Sequence, residues 1–307
     1  MDTPLISIVL CTYNGEAFLE QQISSLISQT YPNLEIIISD DSSTDGTKTI
    51  LSRYEGHKNI RIVYNEQNAG FVKNFEQAVL LTAGEYIAFS DQDDIWLPGK
   101  IEKLYHAITD RSLIYSDSIL VDDNGKSLRK KLSDFKKMKD NITDSRGFIF
   151  LNVVSGHTMM IKKDLIAAAL PLPGGFYHDW WFAIQAANKD GIAFLNEPLT
   201  LYRQHSQTIT KTIVEKRAAA RNFSEKHQAF LRDLTWLELL KNNESEQNTG
   251  FYDKLYNLFL LKQNKSFAWP LFYFLLKHEK ILFQFSNKSY FSKLVRMRKM
   301  ARGERSK

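Results

Sequence analysis

Three carboxylates within four residues follow directly on an apolar segment of the chain. Asp91, Asp93 and Asp94 come after residues 85–89 (EYIAF), a pattern typical of a buried strand. Carboxylates that close repel one another, a divalent cation removes this penalty, and Mg2+ and Mn2+ prefer carboxylate oxygens. Because ligands of open α/β sheets bind at the carboxyl ends of the strands, the turn predicts a site for a metal and a phosphorylated ligand. The alternative is a polar turn that caps a helix near Pro98, since acidic turns are common.

Two other polar segments follow predicted strands. Residues 12–15 (TYNG) end the first strand, and residues 40–46 (DDSSTDG) end the second. The carboxylate of Asp40 can accept a hydrogen bond from a base N–H, and Asn14 or the backbone can bind ribose or phosphate. The local alternative is helix capping by residues 43–45. Neither a G-x-G-x-x-G nor a Walker A pattern occurs, so dinucleotide and P-loop chemistry are not supported.

Short apolar segments alternate with amphipathic ones across the first ninety residues. In the amphipathic segments apolar residues recur every three or four positions, which predicts helices. This alternation is typical of right-handed βαβ units and of a mostly parallel sheet with flanking helices. The predicted strands are 6–11, 34–39, 60–64 and 85–89, and the predicted helices are 18–27, 47–54 and 71–81.

The pattern is less regular after Pro98. The sequence predicts a turn at 122–125 and a helix over 179–188. Residues 126–140 are strongly basic with few apolar side chains, which predicts a mobile loop. The further predicted strands are 113–115, 119–121, 158–161, 192–195 and 199–202.

The C-terminal region is rich in Lys, Phe, Tyr and Leu and is predicted to be helical from about residue 215. Its longest apolar segment, 267–276, is interrupted by Pro270 and is shorter than the roughly twenty apolar residues that span a bilayer. Two apolar faces flanked by lysines suit an interfacial helical hairpin. A helical subdomain packed on the sheet is an equally good interpretation, and the two are compatible.

The net charge of +5 over 307 residues conceals an asymmetry. Residues 1–210 carry 20 basic and 26 acidic side chains, whereas residues 211–307 carry 20 and 9. A basic end predicts an anionic partner, either nucleic acid or anionic lipid, and the alternative is a solvated tail. The single cysteine, Cys11, excludes an internal disulfide framework, and the absence of a signal-peptide pattern predicts a cytoplasmic protein.

Three sequence blocks resemble glycosyltransferase family 2: TYN at 12–14, DDSSTDGT at 40–47 and DQDD at 91–94. Four blocks resemble the bacterial rhamnosyltransferase branch of that family: FSDQDDIWL at 89–97, GHTMMI at 156–161, HDWW at 178–181 and LYRQH at 201–205. The resemblance covers roughly residues 5–210. It implies an α/β fold of the GT-A type, the fold of nucleotide-diphospho-sugar transferases.

The resemblance also implies roles for individual residues. Asp93 would ligate a metal that bridges the diphosphate, and His205 would lie near the metal or the diphosphate with Arg203 supporting it. Asp179 matches the catalytic base, and His178 stands where many members have glutamate. The nucleotide base and ribose would be contacted by Thr12, Tyr13, Asn14 and Asp40, and Asp91 would approach the ribose. The donor-side loop is matched by Asn68, Gly70 and Asn74, and Asp41 is also implied to bind the donor.

Some of these residues have structural alternatives. Asp179 could be the N-cap of its helix, which would lower its pKa and weaken it as a base. His205 taken alone would more often be a surface or structural histidine. Trp180 and Trp181 could belong to the core, or one of them could stack on a sugar or on an acceptor lipid.

The expected activity is inverting, Mn2+- or Mg2+-dependent transfer of L-rhamnose from dTDP-L-rhamnose to a lipid-linked or growing cell-surface polysaccharide. The expected place is the inner face of the plasma membrane, with the protein bound peripherally to its anionic surface. A UDP-hexose donor is the alternative within the same fold. A nucleotide- or nucleic-acid-binding protein without transferase activity is the alternative from another class, but acidic strand ends would repel a polyanion, so no nucleic-acid partner is expected.

The expected organisation has two parts. Residues 1–212 form the GT-A glycosyltransferase domain. Residues 213–307 form a basic, aromatic-rich helical region that either associates with a membrane or packs on the catalytic domain.

Overall fold

The computed structural model describes residues 3–205 and 223–303. These residues divide into two compact units. The first unit takes the residues up to 145 together with 152–204, and the second takes 146–151 together with those from 205 onward. The domain boundary predicted at 212 lies outside the described residues.

The first half of unit one is parallel, as the sequence predicts. Its strands lie in the order β3-β2-β1-β4, and each neighbouring pair is parallel. Every residue of β1 is buried, which explains its unbroken apolar sequence. The helices that connect these strands bury one apolar face each. The elements are β1 (Ile6–Thr12), α1 (Leu19–Ile27), β2 (Leu34–Asp40), α2 (Thr47–Ser52), β3 (Ile60–Tyr64), α3 (Phe71–Val79) and β4 (Tyr86–Ser90).

The rest of the nine-stranded sheet is mixed. Strand β4 pairs antiparallel with β8, β8 pairs antiparallel with β6, and β6 is parallel to β9. Strand β5 pairs antiparallel with β9, and strand β7 pairs antiparallel with β6. The elements are β5 (Ile95–Trp96), α4 (Lys100–Ile108), β6 (Leu113–Val121), β7 (Ser127–Lys131), β8 (Met159–Lys162), α5 (Leu165–Ala169), α6 (His178–Asn188) and β9 (Ile192–Arg203).

Three predictions about this half need correction. Strands 113–115 and 119–121 are one strand, β6, and strands 192–195 and 199–202 are one strand, β9. The segment predicted as a mobile loop contains β7 and a short 3-10 helix, Leu132–Asp134. The reason is pairing with the preceding strand, because β7 bonds to β6 and the carboxylate of Asp117 accepts from the N–H and hydroxyl of Ser133 at 3.1 and 2.7 Å.

Unit two is helical, as predicted for the C-terminal region. Its core contains the buried side chains of Phe230, Leu255, Phe259 and Leu275. Among the residues that the structure describes, no helix has the length and apolar character needed to cross a membrane. The helices are α7 (Phe223–Asn242), α8 (Phe251–Leu260), α9 (Trp269–Lys277), α10 (Glu279–Leu282) and α11 (Tyr290–Ala301).

Candidate active site

The carboxyl ends of the parallel strands bring the predicted polar segments together. The register of β1 and β2 places Thr12 opposite Asp40. Strand β4 lies on the other side of β1 and leads at Ser90 into the acidic turn. One edge of the sheet therefore carries the segments that the sequence predicted to meet.

Gln92 joins the first of these segments to the acidic turn. Its Oε1 accepts from the Thr12 hydroxyl at 2.6 Å and from the Tyr13 N–H at 2.9 Å, and its Nε2 donates to the Tyr13 carbonyl at 3.2 Å. A Cβ on Gly15 would lie 2.5 Å from Gln92 Oε1, so this contact needs a glycine. No role for Gln92 is evident from the sequence alone.

The Asn14 turn is fixed in the same way by the second segment. Asn14 has a φ of 50°, a conformation that asparagine tolerates better than most residues. Its N–H donates to the Ser43 hydroxyl at 2.9 Å, and its side-chain oxygen accepts from the Thr44 N–H at 2.9 Å. Asp40 is buried, and its carboxylate accepts from the N–H and the hydroxyl of Ser43.

The carboxylate of Asp41 orders the donor-side loop. It accepts from the backbone N–H groups of Ala69 at 2.8 Å and Gly70 at 2.9 Å, and the Asn68 side chain donates to the Asp41 carbonyl at 3.3 Å. Asn74 is buried and donates to the Ser39 carbonyl at 3.0 Å, which ties α3 to β2. Asp41 therefore positions the loop and Asn74 positions α3 against β2, while the ligand-binding roles that the resemblance implies for both stay predictions.

Two carboxylates of the acidic turn converge on a histidine. His157 Nδ1 lies 3.8 Å from Asp91 Oδ2 and 3.7 Å from Asp94 Oδ2. The Asp94 side chain is fully buried and its Oδ2 has no hydrogen-bond partner among the described residues, whereas the Asp91 side chain is 41% exposed. Burial and the charge of Asp93 raise the pKa of Asp91 to about 7 and raise that of Asp94 well above its usual range.

His157 is held in place by groups on both sides of its ring. Its Nε2 lies 2.9 Å from the hydroxyl of Ser118, and its ring stacks on Tyr202 with centroids 4.4 Å apart. Burial lowers the pKa of His157 well below its usual range, so the imidazole is neutral. In the neutral tautomer that carries its proton on Nε2, His157 donates to the Ser118 hydroxyl and its Nδ1 lone pair faces the two carboxylates.

This acid–histidine cluster, made of Asp91, Asp94 and His157, fits a divalent cation. The ligand atoms lie within 4.8 Å of one another. The unpartnered Asp94 Oδ2 and a neutral imidazole nitrogen are the donor types that such a cation takes. The sequence block at 156–161 contained His157, but its type and position alone did not distinguish a ligand from a buried structural histidine.

Lys100 partly compensates the charge of the cluster. Its side chain is fully buried, its Nζ donates to the His157 carbonyl and to Thr200 Oγ1, and it lies 3.4 Å from the centroid of the Trp96 ring. Burial lowers the pKa of Lys100 well below its usual range, while the charges of Asp91 and Asp94 oppose that shift. The lysine fixes the backbone of the histidine by a direct hydrogen bond.

Asp179 lies in the first turn of α6, beside the same loop. Tyr177 is the N-cap of this helix, so Asp179 is not the cap. Its Oδ2 accepts from the Gly156 N–H at 3.1 Å, and its Oδ1 is buried and has no hydrogen-bond partner among the described residues. Burial raises the pKa of Asp179 to about 6, against the opposing charge of half-buried Lys136. Such a carboxyl group is suited to accept a proton near neutral pH.

The neighbours of Asp179 belong to the core. The ring of His178 packs on Phe75 with centroids 4.0 Å apart, and burial lowers the pKa of His178 to about 3. Trp181 is buried and its indole N–H donates to the Ala169 carbonyl at 2.8 Å. Of the two tryptophans, Trp180 is the half-buried one and therefore the one that a ligand could reach.

The sequence from residue 7 to residue 169 matches the model of a protein family described as "Glycosyl transferase family 2". The match covers more than half of the 307 residues. The chain belongs to glycosyl transferase family 2.

Relatives of this chain include two bacterial proteins. It is 39% identical over 114 residues to "Putative teichuronic acid biosynthesis glycosyltransferase TuaG" of Bacillus subtilis, which is 37% of this chain and 45% of that protein. It is 30% identical over 165 residues to "UDP-Glc:alpha-D-GlcNAc-diphosphoundecaprenol beta-1,3-glucosyltransferase WfgD" of Escherichia coli, which is 52% of this chain and 63% of that protein. The matches therefore span about half the length of these relatives.

Solved structures share the fold. One is the crystal structure of S. aureus TarS in complex with UDP-GlcNAc, with a TM-score of 0.61, 19% identity, and coverage of 83% of this chain and 71% of that one. Another is the mannosyltransferase PcManGT from Pyrobaculum calidifontis in complex with GDP-Man and Mn2+, with a TM-score of 0.51, 15% identity, and coverage of 85% and 81%. These neighbours confirm the predicted GT-A fold.

The glycosyltransferase fold gives some predicted site residues a clear structural place. The guanidinium of Arg203 is buried and donates to the Asp93 carbonyl at 2.8 Å, to Gln21 Oε1 at 2.7 Å and to two carbonyls of the β6–β7 turn. It therefore holds the acidic turn. His205, predicted beside the metal, belongs to unit two. The ligand-binding roles of Arg203, Asp93 and His205 stay predictions.

Proposed function

We propose that the protein is an inverting, divalent-metal-dependent glycosyltransferase that transfers a hexosyl group from a nucleoside-diphosphate sugar to a hydroxyl of a cell-surface glycan. The observation that carries this proposal is a single loop that contacts both parts of the site. Gly156 donates to Asp179, and the next residue, His157, faces the carboxylates of Asp91 and Asp94. A base and an acid–histidine cluster are thereby held by adjacent residues.

Asp179 is the proposed general base. Its Oδ2 accepts from the Gly156 N–H, its Oδ1 has no hydrogen-bond partner among the described residues, and the carboxylate as a whole is proposed to accept the proton of the acceptor hydroxyl. A pKa of about 6 keeps the group ionised at neutral pH while it still binds the proton that it removes. The acceptor oxygen attacks the anomeric carbon opposite the leaving diphosphate, so one displacement inverts the configuration at that carbon.

A divalent cation is proposed to be held by Asp91, Asp94 and His157, or by Asp93 and His205 as the family resemblance implies. When bound, such a cation neutralises the negative charge that the diphosphate gains as the glycosidic bond breaks. The unpartnered Asp94 Oδ2 supports the first set of ligands. PcManGT, which shares the fold, was solved with Mn2+, and Mn2+ or Mg2+ is the proposed ion.

The donor is proposed to be dTDP-L-rhamnose. The four sequence blocks that resemble the rhamnosyltransferase branch support it, and they include the histidine at 178 before the base. The alternative is a UDP-hexose, and two similar proteins favour it, because WfgD is named for a UDP-Glc donor and TarS was solved with UDP-GlcNAc. Both donors present the same diphosphate to the acid–histidine cluster.

The acceptor is proposed to be a lipid-linked or growing polysaccharide at the cytoplasmic face of the membrane. The names of two relatives support this, since one contains teichuronic acid biosynthesis and the other a diphosphoundecaprenol acceptor. A protein that acts on such an acceptor needs to reach the membrane surface. The basic C-terminal region provides the charge for peripheral association.

A donor-hydrolysis screen tests the proposal. Purified protein is incubated with dTDP-, UDP- and GDP-sugars, with Mn2+ or with EDTA, and release of the nucleoside diphosphate is measured. We expect release from one donor class in Mn2+ only. Asp190→Asn is the control for substitution of an aspartate outside the site, because Asp190 lies in the α6–β9 turn and accepts a hydrogen bond from Ser112. This variant should release the nucleoside diphosphate as the wild type does. Binding of nucleotides or DNA without turnover of any donor would favour the non-enzymatic alternative.

A further inference from the structure

We propose that α9 and α11 form a docking face for an anionic lipid bilayer. The face consists of Trp269, Tyr273, Tyr290, Phe291 and Val295 with the basic side chains around them, and it is called the aromatic–basic face below. The inference deepens the proposed function, because it rests on an acceptor that is carried by a membrane lipid. The side chains proposed to contact the bilayer all belong to unit two.

Helix α9 presents aromatic side chains outward. Its inner face buries Leu271, Phe274 and Leu275. One helical turn apart on the other face, Trp269 and Tyr273 are 57% and 62% exposed. Their rings stack on each other with centroids 6.0 Å apart. An exposed Trp–Tyr pair is typical of the membrane interface, where an amphipathic ring has one end in the apolar layer and the other in water.

Helix α11 repeats this arrangement with a shorter buried face. Met297 and Ala301 are buried, whereas Phe291 and Tyr290 are 73% and 62% exposed and Val295 is also exposed. Phe291 and Val295 are four residues apart and therefore lie on one side of the helix. The exposure of these large apolar side chains indicates an interaction surface.

The two helices run antiparallel, so the aromatic start of each one lies beside the basic end of the other. The Ala268 N–H donates to the Ala301 carbonyl at 2.8 Å at one end, and Lys293 pairs with Glu279 at 2.7 Å near the other. Trp269 at the start of α9 therefore lies at the same end of the pair as the basic end of α11. The aromatic start of α11 lies at the end where α9 finishes in Lys277. The exposed cations of that basic end are Arg298, Lys299 and Arg302.

The charge of the face selects the occupant. Between residues 269 and 302 the chain has eight Lys and Arg and one acidic residue, Glu279, which pairs with Lys293. A second copy of the chain would bring like charges together, so self-association is disfavoured. Apolar side chains such as Phe291 and Val295 gain from insertion among lipid chains, whereas a nucleic acid offers them only base faces. Apolar groups among cations suit an anionic bilayer.

Vesicle flotation of the full-length protein tests the proposal. Vesicles of phosphatidylglycerol and phosphatidylcholine are compared with vesicles of phosphatidylcholine alone. We expect binding to the anionic vesicles, partly retained in high salt because of the inserted rings. The double variant Phe291→Ser/Val295→Ser should lose the salt-resistant part. The triple variant Arg298→Gln/Lys299→Gln/Arg302→Gln should reduce low-salt binding by about tenfold or more, since each basic residue contributes to attraction by the anionic surface.

Leu80→Ser is the matched control, because Leu80 is a 64% exposed apolar residue of unit one. This variant should float as the wild type does, and far-ultraviolet circular dichroism should show that every variant is folded. The proposal is overturned when the wild type stays unbound to anionic vesicles at low salt, or when both multiple variants float as it does. Donor hydrolysis in solution is measured in parallel. Since no residue of the face is placed in the active site, an inactive but floating protein would count against the proposed function alone.

Discussion

Gly156 and Asp179 are joined by a hydrogen bond of 3.1 Å from the glycine N–H to the carboxylate Oδ2. A Cβ on the same glycine would lie 3.0 Å from His178 Nε2, so a side chain there would require the histidine to shift. The Nδ1 of the next residue, His157, is 3.7 Å from Asp94 Oδ2. The position of the proposed base is thus linked to that of the acid–histidine cluster through one peptide unit.

Replacing the proposed base tests its role. Asp179→Asn keeps the size of the side chain but cannot accept the proton. We expect kcat to fall by about 10²- to 10⁴-fold with little change in donor affinity, which is the scale of general-base catalysis. Steady-state kinetics and a nucleotide-binding titration measure the two quantities. A collapse of donor affinity with turnover preserved at saturation would make Asp179 a binding residue.

The pH dependence of turnover should follow the Asp179 carboxylate. The base acts when it is unprotonated, so activity should fall as the pH drops through about 6. The charge of Lys136 favours the carboxylate form, so Lys136→Met should raise the pKa of Asp179 and move this limb to higher pH. Lys137→Met is the control, because Lys137 is an exposed neighbour. This account would be contradicted if the acidic limb of the pH–activity profile of Lys136→Met stayed at the wild-type pH or moved to lower pH.

Metal binding should distinguish the two proposed ligand sets. Wild-type turnover should vanish in EDTA and return with Mn2+ or Mg2+. Titration of Mn2+ followed by electron paramagnetic resonance should show weaker binding in Asp94→Asn and His157→Gln, because Asp94 Oδ2 and His157 Nδ1 face each other at 3.7 Å.

The companion variants are Asp93→Asn and His205→Gln. Weakened Mn2+ binding in these two, with Asp94→Asn and His157→Gln unaffected, would move the ion to the set that the family resemblance implies. Full turnover in EDTA would remove the metal from the account. Loss of binding in all four variants would need a test of folding by circular dichroism before either set is assigned.

The stability of the metal-free protein should report on Asp91. Its folded-state pKa is raised to about 7 from an unfolded value near 3.9, so the folded protein binds the proton more tightly. This contribution to stability is fully present below about pH 4 and is lost as the pH rises through about 7. Asp91→Asn should remove that dependence, and the unfolding free energies of the two proteins, measured in urea, should diverge across this window. If the unfolding free energies of the two proteins changed in parallel with pH, the pKa of Asp91 would not be raised in the folded state.

The sequence predicted the half of the site that depends on local patterns. The strands β1, β2 and β4 bury continuous apolar segments, and the polar residues that follow them mark the functional edge of the sheet. The sequence block at 178–181 was enough to propose Asp179 as the base. It did not predict the groups that surround the Asp179 carboxylate in the folded protein. Its pKa depends on Gly156 and Lys136, which are 23 and 43 positions away in the chain.

The other half depends on contacts that local composition does not encode. His157 faces Asp94 because β8 pairs antiparallel with β4, and strand pairing across 70 residues leaves no periodic signal. The sequence of the basic segment around Lys136 predicts a mobile loop. In the structure this segment is ordered by β7 and by the hydrogen bonds of Ser133 to Asp117. Gln92 and Lys100 are single polar residues whose partners appear only when the chain is folded.

We propose that this site transfers a glycosyl group by one base-assisted displacement. Proton NMR of the product, recorded as transfer from the accepted donor proceeds in Mn2+, is the test. The product should have the anomeric configuration opposite to that of the donor, and Asp179→Asn should form it about 10²- to 10⁴-fold more slowly. A product that retains the donor configuration, or equal product formation by the wild type and Asp179→Asn, would contradict it.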